Sequence, residues 1–478
     1  MQNYFKLFLL LLFCVTNIAF ADSEQEVSNY IKNNIASLVI PADDFLVNRG
    51  ITPSLVEDKN FDTNRRIETG VYTDQYDWDT HFISKTMLVI DANYYKPIVQ
   101  ESILNFLALQ SPEGFIPRTI GYDGIKDFPG HHKPFLFQTI LLLEKNKLPL
   151  NWLTKEVQGF EWSQNFTQIT DPASWDKQKY TKFFSRVKFQ PLERLEKYLD
   201  FYIQYRKVPK QNLYAWNNIL ESGIDTTLAL RPRVYAPVGD FDAALNCTPS
   251  PVPNIAAIDL NIYLYNEFNA ASKVFELLKN KKKSAYYAQK AQEIKEQFVA
   301  TFWNEKDSLF YNRYFKANGQ SEFIDIPAWM SFLPLSAEQL IDNKKNPEMA
   351  KSIIQKHLLS SDSFLTPFGI RSLSRLSPVQ GGDSGRALVP EYWFEAANWN
   401  GPIWVLPNLF AIEILQKYHY TTEAQDLKNR INTLLAQDIQ KNKMMHEQYS
   451  YLDGRPGWAK SFISWNSCMF ILNSDIKK

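Results

Sequence analysis

Four separated segments combine tryptophan with carboxylates or amides: Tyr76-Asp77-Trp78-Asp79-Thr80, the run Trp216 to Asp225 (WNNILESGID), Asn398 to Trp404 (NWNGPIW), and His446-Glu447-Gln448-Tyr449. Gly457-Trp458 and Ser464-Trp465-Asn466-Ser467 follow the last of these. With Trp393, these regions hold seven of the twelve Trp. The mixture suits a sugar, which offers polar edges and C–H faces. Trp stacks on the faces and adds an N–H donor. Asp, Asn and Arg bind hydroxyls through paired acceptors or a donor fork. Cleaving an acetal needs two carboxyl groups, one to protonate the leaving oxygen and one to serve the opposite face of the ring. An aromatic wall desolvates a carboxyl and raises its pKa, as a general acid requires. Each segment alone has a plainer reading: a core Trp beside a helix cap, a helix end before a turn, or a Gly-Pro opening of a helix. Four together, in order, favour the chemical one.

Other chemistries lack their motifs. No G-x-G-x-x-G follows a strand, and no G-x-x-x-x-G-K-[ST], C-x-x-C or H-E-x-x-H occurs, so no cofactor or metal is expected. Of six His, only His131-His132 are neighbours, and adjacent side chains do not easily face one ion. Gly382-Asp383-Ser384-Gly385 matches a chymotrypsin-type nucleophile loop, but a mostly helical chain makes it a turn by chance.

The elements that must position these groups are mainly helices. Apolar residues at i, i+3, i+4 spacing predict helices over 255–279, 286–302, 402–418 and 422–435. Phe135 to Leu143 reads as a helix buried on every side. Leu309 to Phe315 is the best strand. Joints are expected near 111–114, 232–240, 248–254 and 374–385. No repeat, low-complexity stretch or Gly/Ser/Pro-rich linker divides the chain, which points to one catalytic domain over 66–478 after a lead-in at 22–65. At 478 residues, with 52 basic and 52 acidic side chains, the chain fits a large helical toroid. Its charge balance argues against a nucleic-acid partner or a polybasic membrane patch.

Residues 1–21 read as a secretory signal: Lys6, an apolar run from Leu7 to Phe13, and Ala19-Phe20-Ala21 as the cleavage site. The apolar run is too short to span a bilayer. The expected location is the periplasm or the medium, without stable membrane insertion. Cys14 leaves with this segment, and Cys247 and Cys468 are left unassigned.

In this order the segments resemble the clan of inverting glycosidases that holds trehalases (family 37) and the processing α-glucosidases and bacterial mannosylglycerate hydrolases (family 63). Glu221-Ser222-Gly223-Ile224-Asp225 resembles the family's Glu-Ser-Gly-x-Asp, whose Asp is the general acid. Trp399-x-Gly401-Pro402-Ile403-Trp404 resembles the sugar-lining Trp-Arg-Gly-Pro-Ile-Trp, and Glu447-Gln448-Tyr449 the Glu-x-Tyr/Phe that carries the general base. Ser464 to Ser467, Asp259-Leu260-Asn261 and Thr366 to Ser372 match further family elements, so the resemblance spans about 70–472. It leans towards short family 63 members, since the trehalase Gln-Trp-Asp-x-Pro is absent. Asn398 and Asn400 flank Trp399 where Tyr and Arg are frequent, and His132-Lys133-Pro134 stands where Gln-Pro-Pro is common. These departures bear on which sugar binds.

The resemblance implies an all-α (α/α)6 toroid with minor β hairpins in its loops, acting on a small carbohydrate. Asp225 would be the protonated general acid and Glu447 the ionised base that activates water. Trp78, Trp399, Trp404 and Trp465 would wall the subsite, together with Trp216 and Gly401. Asp79 would hold hydroxyls, helped by Arg118 or Arg371. The acid and base lie 222 positions apart. The alternatives are a trehalase and a non-catalytic sugar-binding protein on the same fold.

Overall fold

The computed structural model describes residues 20–42, 46–55, 71–121, 124–162, 184–225, 227–230, 252–342, 345–378 and 399–474. The signal segment up to residue 19, Cys14, the 66–70 boundary, Cys247, the loops over 232–240 and 379–385, Trp393 and Asn398 lie outside them.

Eleven helices are described: α1 (20–34), α2 (Asp77–Ala108), α3 (Leu136–Lys145), α4 (Pro191–Tyr205), α5 (Ile219–Ser222), α6 (Ile258–Leu277), α7 (Lys281–Phe302), α8 (Pro347–Ile353), α9 (Val405–Lys417), α10 (Thr421–Asn442) and α11 (Met469–Asn473). Local chemistry sets their ends. Asp77 and Asp79 occupy the first turn of α2, where the helix dipole favours negative charge. Pro191 opens α4, a position whose N–H has no helical partner. The α2 helix breaks at Asp91, whose carboxylate accepts the Tyr94 N–H at 3.1 Å and so restarts it.

Six inner elements close a ring. The α2 helix packs on α3, α3 on α6, and α6 on the one-turn helices Trp329–Ser331 and Leu333–Leu335. The latter turn meets α9, α9 meets the turn Trp465–Cys468, and that turn returns to α2. Outside the ring, α7 backs α6, α10 backs α9 and α4 backs α2. This is the six-hairpin toroid that the resemblance implies. The inner helices α2 and α9 are apolar on most sides because they touch neighbours all round.

Short strands stiffen the loops at one end. Strand β1 (Gln75–Tyr76) pairs with β2 (Pro117–Gly121), and β2 with β3 (Gly124–His131), Tyr76 opposite Thr119. Strands β4 (Val157–Trp162) and β5 (Phe184–Phe189) form a hairpin. Strand β6 (Ile403–Trp404) pairs with β7 (Gln448–Tyr449), and β7 with β8 (Pro456–Gly457), Trp404 opposite Gln448. The strand expected over 309–315 is two pieces. Leu309–Phe310 pairs with Trp303–Asn304, whereas Asn312–Phe315 joins Ser321–Ile324, because Tyr311 turns away to bond the Phe302 carbonyl at 2.9 Å. The lead-in is built into the ring: Val27, Ile31 and Ile35 are buried, and the Pro53 carbonyl accepts the N–H of Ile463 and Ser464.

Candidate active site

Glu447 sits between α10 and β7. Asp438 on α10 accepts the His446 N–H at 2.9 Å, the His446 ring at 2.9 Å and the Tyr449 hydroxyl at 2.8 Å. One outer-helix carboxylate thus fixes the backbone on both sides of Glu447. The Glu447 N–H donates to the Ala459 carbonyl at 3.0 Å. Its side chain accepts the Tyr72 hydroxyl at 3.2 Å, and Tyr72 in turn accepts the Trp458 indole N–H at 3.0 Å.

Asp225 is aimed by the turn before it. Asn218 caps α5 by accepting the Glu221 N–H at 2.8 Å. The fully buried Glu221 is gripped by Arg206 at 2.7 Å and accepts the His131 N–H at 2.9 Å. Gly223 then turns the chain with φ +73°, and a Cβ there would meet Lys133 Nζ at 2.9 Å and the Trp78 ring at 3.0 Å. Only glycine fits both the conformation and the space. Asp225 emerges beside Arg118, 3.9 Å from its guanidinium, and the same guanidinium donates to the Leu220 carbonyl.

Both carboxylates line one cavity of about 150 Å³. Tyr72, Tyr76, Trp78, Asp79, Arg118, Trp399, Phe462 and Trp465 complete its described wall, with Pro53 from the lead-in and Leu220 and Gly223 from the turn before Asp225. A space of this volume holds one six-membered ring. Trp78 meets Trp465 edge-on at 5.3 Å, and Trp399 lies 6.1 Å from Trp78. Under Trp78, Lys133 places its ammonium 4.5 Å from the indole and 3.3 Å from Asp77, both partners fully buried.

The charges are uneven. Burial, the neighbouring Asp79 and, more weakly, Asp225 push Glu447 well above the usual carboxylate range, against the Tyr72 hydrogen bond. Burial likewise pushes Asp79 up to about 7, although the Ser464 hydroxyl donates to it. Burial also opposes the Asp77 charge, but Lys133, His132 and Arg118 outweigh it and hold that carboxyl low. Asp79 and Asp225 thus both oppose the Glu447 charge across one small cavity. Among the described residues no group of three His, Cys, Asp or Glu is arranged to hold a metal ion.

Of the residues expected at the site, Asp225, Glu447, Trp78, Asp79, Arg118, Trp399 and Trp465 meet at this cavity. The other four are not among the described residues that line it. Trp404 stacks flat beneath Trp399, 3.7 Å between ring centres, and supports it. Trp216 is buried, with its N–H shared by the two oxygens of Asp259 at 3.2 Å. Arg371 is buried over the Tyr451 ring at 4.0 Å. Gly401, with φ +151°, donates its N–H to Ser372 at 2.9 Å and shapes the turn that presents Trp399. Sequence reasoning missed Tyr72. It lies just ahead of the first Trp-Asp segment, and no local pattern marks its pairing 375 positions away.

A family profile, the mannosylglycerate hydrolase MGH1-like glycoside hydrolase domain, matches residues 72–464. No curated protein sequence matches the chain. Among solved structures, the GH63 mannosylglycerate hydrolase from Thermus thermophilus in complex with glucose superposes with TM-score 0.60 at 15% identity, covering 94% of this chain and 99% of that one. An uncharacterized conserved protein from the same organism gives 0.61 at 14%, covering 94% and 100%. Neutral trehalase Nth1 from Saccharomyces cerevisiae gives 0.50 at 12%, covering 93% and 79%. The structural likeness is one of fold. The family profile spans most of the chain, residues 221–225 and 447–449 included, and on that ground the chain belongs to the MGH1-like glycoside hydrolases and is a glycosidase.

Proposed function

We propose an exported, inverting glycosidase that cleaves an α-glycosidic bond of a small glucoside, mannoside or oligosaccharide. The observation that carries this reading is that Asp225 and Glu447, 222 positions apart, line one aromatic-walled cavity. Asp225 donates a proton to the glycosidic oxygen while Glu447 takes one from water on the other face of the ring, through an oxocarbenium-like transition state. An inverting pair leaves about 6.5–9.5 Å for that water. Trp78, Trp399 and Trp465 stack on the sugar, and Asp79 and Arg118 bind its hydroxyls. The cavity volume favours one sugar ring over an extended chain. The leader over 1–21 supports export, and no described helix is long and apolar enough to cross a membrane.

One observation favours exchanged roles. Glu447 is the more buried carboxylate and is pushed up, whereas Asp225 stands partly exposed beside Arg118. The assignment above keeps Glu447 as base because a raised pKa strengthens a base once it is ionised.

The test is a hydrolysis panel of mannosylglycerate, trehalose, kojibiose and nigerose. Turnover of mannosylglycerate or an α-glucoside over trehalose is expected. Preference for trehalose would move the reading to the trehalases, and saturable binding without hydrolysis would move it to a sugar-binding protein.

A further inference from the structure

Trp458 stands where a large aromatic side chain is hard to account for. It follows β8 with φ +59°, a backbone region that bulky residues rarely adopt. It is 37% exposed, the one exposed Trp among the described residues. Neither full burial nor backbone preference therefore explains the residue type. Its polar atom does. The indole N–H donates to the Tyr72 hydroxyl at 3.0 Å, 386 positions away. The segment around it ties the site together. Ala459 accepts the Glu447 N–H at 3.0 Å, and Ser461, also left-handed at φ +52°, accepts the Leu55 N–H of the lead-in at 2.9 Å. Strained backbone kept at such a place points to a use for the side chain it presents.

The use follows from which groups can donate. An indole N–H donates and cannot accept, whereas a phenol hydroxyl does both. With the Tyr72 oxygen committed to the indole, its own proton is left for Glu447 Oε2, 3.2 Å away. Hydrogen bonds in such a row polarise one another, so the indole makes the phenol a better donor. Burial, Glu447 and Tyr76 raise the Tyr72 pKa, and the Trp458 bond works against them. Without the indole, the Tyr72 hydroxyl can turn and accept a proton from neutral Glu447, the form that cannot take one from water. The other ionisable groups facing Glu447 are Asp79 from α2 and Asp225 from the turn that Gly223 opens, with Arg118 of β2 beside Asp225. Trp458 is not among the described residues that line the cavity, so its side chain reaches Glu447 through Tyr72.

We propose that Trp458 is a positioning residue for Glu447: its indole N–H keeps the Tyr72 hydroxyl proton aimed at the carboxylate that takes a proton from water. The inference rests on the hydrolytic reading and deepens it, adding a residue outside the cavity to those that act on the base.

The test is Trp458→Phe in the full chain, which keeps an aromatic ring and removes the N–H. kcat and KM are followed across pH on whichever of mannosylglycerate, trehalose, kojibiose and nigerose the parent hydrolyses fastest. The acid limb of kcat/KM should move to higher pH. On that limb the rate should drop about two- to threefold, the low end of what one hydrogen bond is worth. KM should stay at the parent value. In a Tyr72→Phe background the same substitution should leave the limb where it is, since the group it acts through is gone. Melting curves accompany each variant, and Trp458→Gly, which suits the left-handed backbone, replaces a Phe variant that does not fold. A limb that stays in place in a folded variant overturns the proposal, as does a shift of equal size with and without the Tyr72 hydroxyl. A raised KM with an unmoved limb also overturns it, and makes Trp458 a sugar contact. A parent chain that hydrolyses none of the four sugars fails the hydrolytic reading and this inference with it, whereas an active parent with an unmoved limb in the variant fails this inference alone.

Discussion

The two halves of the catalytic cavity are built differently. In one half Glu447, the proposed base, is buried, and Asp438 braces the residues on either side of it from the outer helix ring. The other half, which carries Asp225, the proposed acid, is a short turn held by the Arg206–Glu221 pair and opened by Gly223. Fixed charges differ too. Arg118 stands by Asp225, while Glu447 faces Asp79 and is eased only by hydrogen bonds from the Tyr72 phenol and the Ala459 backbone. One half controls where a carboxylate points, and the other controls how readily it ionises.

The largest expected effect separates the roles. A glycosyl fluoride needs no protonation of its leaving group, so Asp225→Asn should hydrolyse it at near the parent rate. Glu447→Gln should lose about 10²–10⁴-fold on the same substrate. Steady-state rates on the fluoride of a substrate from the panel decide this, and the opposite pattern would exchange the two roles.

Next in size is a stability effect under the Trp78 floor. Lys133→Met strands the Asp77 carboxylate in a buried site, and breaking a buried pair this way costs about 3–5 kcal/mol. A marked fall in melting temperature and denaturant midpoint is expected. A melt unchanged from the parent would show that the pair carries little.

A pH shift follows from the crowding of carboxylates. A base must be ionised, and Glu447 is pushed up, so the acid limb of kcat/KM should lie above the ordinary carboxylate range. Asp79→Asn removes one like charge and should move that limb to lower pH, whatever it costs in KM. Asp79 itself binds its proton more tightly folded than unfolded, about 7 against 3.8. The folded chain therefore keeps a proton that the unfolded chain has lost in that window, and stability should fall as pH rises through it. In Asp79→Asn the fall should shrink, as read by melts across the same range.

The smallest effect concerns Tyr72. Tyr72→Phe removes the one side-chain hydrogen bond that lowers the Glu447 pKa. The acid limb should move to higher pH, opposite to Asp79→Asn, with a turnover loss of only a few fold. A limb that stays in place would make Tyr72 a packing residue alone.

Several of these parts were legible in the sequence. Helices α3, α6 and α7 follow apolar spacing closely, because each presents a sustained face to its neighbours. The α2 helix was missed: its inner position makes it apolar around most of its surface, and Asp91 breaks its period. The carboxylates and three wall tryptophans were readable because their residue types are costly to bury without a purpose. Trp404, Trp216 and Arg371 carry the same composition but are not among the described residues that line the cavity, and distance from a ligand leaves no local mark on sequence. Tyr72 gains its meaning only when remote elements meet.

In the proposed reaction, water attacks one face of a sugar while a proton arrives at the other. Proton NMR of the first sugar released from an α-linked substrate reads this directly, before mutarotation. The β-anomer, appearing alone in early spectra and absent with Glu447→Gln, is the expected result. Early release of the α-anomer would contradict it.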